Sequence, residues 1–169
     1  MIAKANVHLG FNCKNLEESI RFYEEILGCK EAFTIYYGDL IPEDPKRLKT
    51  IPKDQLEKWE SLKEVKWIVY LEWMDGYFIE LFNEVTAHVE NKPDPVNNYG
   101  YTHFAFVVDD MEEFCRMLKE KGGEKYIDLE PQPSLDGNIN MWIHDPDGNR
   151  MEVQQYTEIS AQKTGKLRG

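Results

Sequence analysis

Two histidines and two glutamates, His8, His103, Glu80 and Glu152, stand at matched positions of an internal duplication in this sequence of 169 residues. The segment VHLGFNCKNLEES is echoed by THFAFVVDDMEEF at a constant offset of 95. That offset pairs His8 with His103, Leu16 with Met111, Glu17 and Glu18 with Glu112 and Glu113, and Gly28 with Gly123. The segment MDGYFIELF is echoed by DPDGNRMEV at an offset of 72, which pairs Asp75-Gly76 with Asp147-Gly148 and Glu80 with Glu152. A carboxylate between Phe78 and Phe82 on a core-like strand face is costly to bury without a cation, a hydrogen-bond network or water. Glu152 sits between Met151 and Val153 in the same predicament.

If the two copies pack around a pseudo-twofold axis, duplicated positions converge and His8, Glu80, His103 and Glu152 form one cluster of two nitrogens and two oxygens. Such a set suits a divalent ion. Imidazole favours zinc, nickel, cobalt or iron, while carboxylates pull towards harder ions; zinc or nickel is the expected ion, with cobalt, iron or manganese as alternatives. An octahedral ion held by four protein ligands keeps two positions open for water or substrate, as Lewis-acid chemistry requires. Taken singly, a strand histidine is more often a hydrogen-bonded core residue and a strand glutamate more often faces solvent. The coincidence weighs the other way: the chain has four histidines, and two of them match under the repeat. His88 and His144 have no mate, so surface or supporting roles suit both. Asp75, Asp145 and Asp147 read as turn residues.

The elements that must hold these residues follow from periodicity. Residues 5–12 alternate, with Val7, Leu9 and Phe11 on one face and His8 on the other, which predicts a strand. Asn15 caps a helix with Glu18 three residues on; Leu16, Ile20, Tyr23 and Leu27 form its apolar stripe, and Gly28 ends it. Residues 29–36 read as a second strand. WIVYLEW (67–73) and residues 77–83 are two more, joined by the hairpin signal Met74-Asp75-Gly76. In the second copy residues 101–108 predict a strand, Met111–Lys121 a helix ended by Gly122-Gly123, and runs near 124–129, 138–144 and 150–156 three further strands. Each copy is therefore β-α-β-β-β.

The expected organisation is one domain: a first module at 4–87, a linker at 88–98 carrying Pro93 and Pro95, a second module at 99–157 and a fraying tail at 158–169. Gly28 to Asp75 spans 47 residues but Gly123 to Asp147 only 24. The first copy thus carries a 23-residue insertion, the difference between the two offsets, and the Pro-rich, charged stretch 38–65 is its natural home, with a helix from about Lys53 to Lys63. As a lid over a cavity mouth or as surface decoration, it reads equally well.

Composition narrows the class. Acidic residues outnumber basic ones 31 to 20, for a net charge of −11, so a phosphate backbone is repelled and nucleic acid is excluded as a partner. No apolar run nears the roughly 20 residues of a membrane helix, and the start at Met1 shows no signal peptide. Cys13, Cys29 and Cys115 are unclustered, without CxxC spacing, and read as buried reduced thiols. A cytoplasmic protein acting on a small molecule, away from membranes, is the expectation.

Several stretches together resemble the vicinal oxygen chelate superfamily of glyoxalases, bleomycin resistance proteins and extradiol dioxygenases. They are His8 with the following NLEESIRFYEEILG, IEL around Glu80, GYTHFAF around His103 and DPDGNRMEV around Glu152. The resemblance covers nearly the whole chain outside 38–65, and within the superfamily the His/Glu/His/Glu set is similar to glyoxalase I. It implies an α+β fold, two βαβββ modules forming a curved mixed sheet around a metal with helices outside, often as a homodimer. It also implies a lactoylglutathione lyase-like enzyme, in which the metal binds both oxygens of a hemithioacetal and a glutamate moves a proton through an enediolate. Carried onto this chain, His8, Glu80, His103 and Glu152 are the ligands; Glu152 is the base, with Glu80 the second catalytic candidate. Glyoxalase I usually places a basic residue soon after the first histidine to hold glutathione; here Asn12 stands there and Lys14 is the nearest cation. Alternatives within the superfamily are an acyl-CoA epimerase-like or dioxygenase-like enzyme, and a non-catalytic, antibiotic-binding protein. Glu80 in place of glutamine argues against the epimerase, four ligands argue against the three-ligand dioxygenases, and their presence argues against the binding protein.

Overall fold

The structure is a computed structural model and describes residues 6–83 and 100–167. In the first half, β1 (His8–Cys13) leads into α1 (Leu16–Arg21) and β2 (Lys30–Tyr36). Then come the short helix α2 (Pro45–Leu48), α3 (Lys53–Ser61), β3 (Lys66–Met74) and β4 (Tyr77–Asn83). The second half runs β5 (Phe104–Val107), α4 (Met111–Glu120), β6 (Ile127–Pro133), β7 (Ile139–His144) and β8 (Arg150–Gln155), and closes on a single turn, α5 (Ala161–Thr164). The chain divides into two compact units, each with a four-stranded mixed sheet. Strand order is β1-β4-β3-β2 in one and β5-β8-β7-β6 in the other, with the outer pair parallel and the rest antiparallel.

Both sequence offsets reappear as strand register. Gly10 faces Glu80 and Tyr70 faces Glu80 in the first sheet; Ala105 faces Glu152 and Trp142 faces Glu152 in the second. These pairs are related by 95 on β1/β5 and by 72 on the two hairpin strands. A slip of one residue would have turned both glutamates to the opposite face.

Alternation decides which face is core. Val69, Leu71, Ile79 and Leu81 are fully buried in the first unit, and Met141, Ile143, Met151 and Val153 in the second. Each such side chain contributes about 1.5–3 kcal/mol of burial free energy. α1 packs against β4, and α4 against β6 and β7. Their inward positions repeat: Leu16, Ser19, Ile20 and Tyr23 match Met111, Phe114, Cys115 and Leu118, all buried. The caps repeat too, since Asn15 accepts from the Glu18 amide at 3.3 Å and Asp110 from the Glu113 amide at 2.9 Å.

Some expectations shift. The predicted stripe through Leu27 gives way to Ile26, because Phe22–Ile26 winds as a π-helical turn that absorbs one extra residue. For the same reason the left-handed glycine matching Gly28 (φ 77°) is Gly122 (φ 78°), not Gly123. Gly123 is buried against Leu118, where a Cβ would come within 2.9 Å. Val7 is exposed and β1 begins at His8, while His103 stands just before β5. In the second copy a 3-10 turn, Gly123–Tyr126, precedes β6, so that strand begins later than expected.

The excursion between β2 and β3 lies where the repeat arithmetic puts it, and α3 spans nearly the expected helix. Its base is stitched: the Tyr37 amide donates to Val65 O at 3.0 Å and the Gly38 amide to Lys63 O at 3.2 Å. Buried Tyr37 also donates its hydroxyl to Asn83 O at 3.0 Å. Over its described part the tail, expected to fray, makes hydrogen bonds to the preceding turn. The Ala161 amide donates to Asp136 O at 2.7 Å, Thr157 Oγ1 to Gly137 O at 2.7 Å, and Gln162 Nε2 to the Asp136 carboxylate at 2.8 Å. Residues 157–165 are thereby tied to the β6–β7 turn. The linker at 88–98, with His88, lies outside the described residues. All three cysteines are buried and none is in a disulfide among the described residues, and burial pushes the Cys29 thiol up to about 12. Among the described residues no helix is long and apolar enough to cross a membrane.

Candidate functional site

Glu80 points from the middle of β4 to the face opposite Ile79 and Leu81, yet it is only 7% exposed. Room for its carboxylate comes from Gly10, its neighbour on β1. A Cβ there would lie 3.3 Å from Glu80 Oε2 and 3.2 Å from the Phe82 ring, so any side chain would crowd the carboxylate. With that space open, Glu80 Oε2 stands 3.5 Å from His8 Nε2. The Tyr70 ring, opposite Glu80 on β3, meets the His8 ring edge-on at 6.5 Å and stacks on half-exposed Phe33 of β2 at 4.2 Å.

The second unit repeats the pair. Glu152 Oε2 stands 3.5 Å from His103 Nε2. The other ring nitrogen, Nδ1, lies 2.9 Å from Thr102 Oγ1, which leaves Nε2 as the nitrogen directed at Glu152. Trp142 occupies the place of Tyr70 and meets the His103 ring edge-on at 4.8 Å, with the Arg150 guanidinium 4.4 Å over its own face. Here the surroundings part company with the first unit. Asn140 Nδ2 donates to Glu152 Oε1 at 2.6 Å, whereas the residue at the equivalent place is Ile68.

The four expected residues therefore come as two His–Glu pairs, one in each unit. Within neither unit do the described residues form a group of three or more His, Cys, Asp or Glu that could hold an ion. The donor set fits a divalent ion chemically: one imidazole nitrogen and one carboxylate oxygen per pair. The spacing fits as well. Two donors each about 2.1 Å from one ion stand about 3.4 Å apart at a tetrahedral angle and about 3.0 Å on an octahedral edge. At 3.5 Å the contact is long for a charge-assisted hydrogen bond.

His144 takes a different role, pairing through Nδ1 with Asp128 at 2.9 Å at the end of β7. Asp145 is a turn residue: its Oδ1 accepts from the amides of Asp147 at 3.0 Å and Asn149 at 2.8 Å. Asp147-Gly148 and Asp75-Gly76 close the two hairpins with Gly148 and Gly76 at positive φ. Gly10, Tyr70, Trp142, Thr102 and Asn140 were not singled out in the sequence. Extending the 72-residue offset upstream would have paired Tyr70 with Trp142; nothing in the sequence distinguishes Asn140 from an ordinary strand asparagine.

Duplicated βαβββ units that present a matched His–Glu pair define a glyoxalase-like α+β fold. The chain belongs to the Glyoxalase/Bleomycin resistance protein/Dioxygenase superfamily, whose sequence model matches residues 6–153. It is 24% identical over 160 residues to a lactoylglutathione lyase of Haemophilus influenzae, covering 94% of this chain and 96% of that one. It is 27% identical over 150 residues to a lactoylglutathione lyase of Neisseria meningitidis serogroup A, covering 88% of each. The crystal structure of a lactoylglutathione lyase from Agrobacterium tumefaciens superposes with a TM-score of 0.55 at 16% identity, over 92% of this chain and 96% of that one. At that identity the likeness speaks to the fold.

Proposed function

We propose that the chain is a metal-dependent lyase or isomerase of the glyoxalase I type, acting on a small α-hydroxycarbonyl compound or hemithioacetal. The observation that carries the reading is the repeated geometry: a histidine Nε2 and a glutamate Oε2 at 3.5 Å in each unit. His8, Glu80, His103 and Glu152 would hold one divalent ion, zinc or nickel ahead of cobalt, iron or manganese. The ion supplies a Lewis acid for the substrate's oxygens. Glu152 is the group that takes a proton from one carbon and returns it to its neighbour, an isomerisation in which no atom is gained or lost. His103 is held with Nε2 towards the glutamate by the Thr102 contact. Reduced buried thiols suit the cytoplasm, and a homodimer is the working assembly.

Glutathione is not the favoured thiol. Asn12 stands exposed on β1 where a cation would grip its carboxylates, and the net charge is −11. The half-exposed Phe33 stacked on Tyr70 offers the first unit an aromatic shelf suited to an apolar substrate group. An epimerase-like or dioxygenase-like activity and antibiotic binding without turnover remain the competing readings. Metal analysis of the purified protein, followed by a spectrophotometric assay with methylglyoxal and either glutathione or smaller thiols, separates them. Metal-dependent thioester formation is expected; a metal-free protein with no turnover on any thiol overturns the reading.

A further inference from the structure

Asn140 breaks the symmetry of the duplication at the point where the chemistry is placed. Its mate Ile68 is buried to the same extent, each 6% exposed, so the site has room for an apolar side chain. Asn140 instead donates through Nδ2 to Glu152 Oε1 at 2.6 Å. Its own Oδ1 is buried with no hydrogen-bond partner among the described residues. A buried carbonyl oxygen left unpaired is destabilising, and an isoleucine would carry no such penalty. Across the β7–β8 register, buried Gln154 stands where Phe82 stands in the first unit. Glu152 is thus flanked by amides and Glu80 by apolar groups.

We propose that Asn140 is a positioning residue, which fixes Glu152 through Oε1 so that Oε2 alone is presented beside His103. A carboxylate held by one oxygen has lost most of its terminal rotation before any ligand arrives, so less ordering remains to be done on binding. In the first unit the place of Asn140 is taken by Ile68, which pairs with Phe82, so Glu80 has no amide donor at that position. The inference rests on the reading of Glu152 as a metal-binding residue.

Cobalt(II) alone, titrated into the full-length protein and followed by calorimetry, tests it together with thermal unfolding in chelator. The Asn140→Ile variant is expected to bind cobalt about 10–100-fold more weakly. In chelator it is expected to unfold about 2–4 °C higher than wild type, because the orphaned oxygen is gone. Asn140→Leu, close to isosteric, without the donor and without a new charge, should weaken cobalt binding as well, and carries the test if the isoleucine variant does not fold. Wild-type cobalt affinity in the folded variants overturns the positioning role and leaves the metal reading standing. A fall in both affinity and thermal midpoint for Asn140→Ile marks Asn140 as merely structural, which also overturns it. A wild-type protein that binds no cobalt removes the metal reading and this inference with it.

Discussion

Glu80 and Glu152 are interchangeable under the repeat but not in their surroundings. Glu80 has Gly10 and Tyr70 opposite it and the Ile68–Phe82 pair next along the sheet; Glu152 has Ala105 and Trp142 opposite it, the Asn140–Gln154 pair next along, and the 2.6 Å bond from Asn140. Replacing Glu152 by Gln preserves size and an oxygen for Asn140, while removing the charge and the proton acceptor. At saturating metal, Glu152→Gln is expected to lower turnover by about 10²–10⁴-fold, the usual contribution of a general base. Its loss of metal affinity should be smaller than its loss of rate. Glu80→Gln should show the milder kinetic defect of the two. Equal, wild-type-like turnover in both variants would assign the base elsewhere. That a histidine and a glutamate stand at equivalent places in each unit was legible from the coincidence of two matched histidines and two matched glutamates. The amide that distinguishes one glutamate from the other was not, because a cross-strand hydrogen bond leaves no trace in hydrophobic periodicity.

Elements were legible where one face is buried and blurred where the backbone departs from a regular period. Strands β3 and β4 and helix α4 follow their sequence patterns closely, since alternation or a 3.6-residue stripe drives each, and the Asn15 cap follows its capping pattern. The π-helical turn at Phe22–Ile26 was invisible, because one added residue leaves the apolar content of the stripe almost unchanged. The excursion between β2 and β3 is closed at its base by the Tyr37–Val65 and Gly38–Lys63 hydrogen bonds, so its ends are already adjacent. Deleting about residues 40–62 should therefore leave a cooperatively folded protein whose thermal midpoint, read by circular dichroism, moves by no more than about 2–4 °C. A molten or unfolded deletion variant would place the segment in the core. The docked tail offers a pH test. Burial pushes the Asp136 carboxyl up, yet hydrogen bonds from Gln162, Ser134 and the Asn138 backbone together hold it below its ordinary 3.8. A depressed carboxyl contributes stability that is present above the unfolded value and is lost as pH falls through the folded one. Amide exchange in residues 157–165 should accordingly rise below about pH 4 in wild type. In Asp136→Asn it should be high at neutral pH already; protection that ignores both acid and the substitution would show that Asp136 does not hold the tail.

At the scale of the whole molecule, the number of ions bound decides how two equivalent His–Glu pairs are used. An ion shared by both pairs gives one metal per chain, and losing a ligand from either unit removes that same ion. Independent sites give two metals per chain, and each substitution removes one. The proposed function requires the first outcome: His8→Ala and His103→Ala should each weaken binding of the single ion, and the double variant should hardly bind at all. Native mass spectrometry at matched protein and metal concentrations reads the count directly. Sharing also predicts how metal removal acts on stability. An ion present at about 100 times its dissociation constant stabilises the folded state by about 2.7 kcal/mol, so chelation should lower the thermal midpoint by roughly 5–10 °C. Either histidine variant should start near the lowered midpoint and respond little to chelator. Two metals per chain would mean two independent sites, and a chelator response intact in His8→Ala but absent in His103→Ala would mean that only the second unit's pair binds an ion. The other pair would then be a buried carboxylate satisfied by imidazole, and the glyoxalase I-type reading would lose its four-ligand centre.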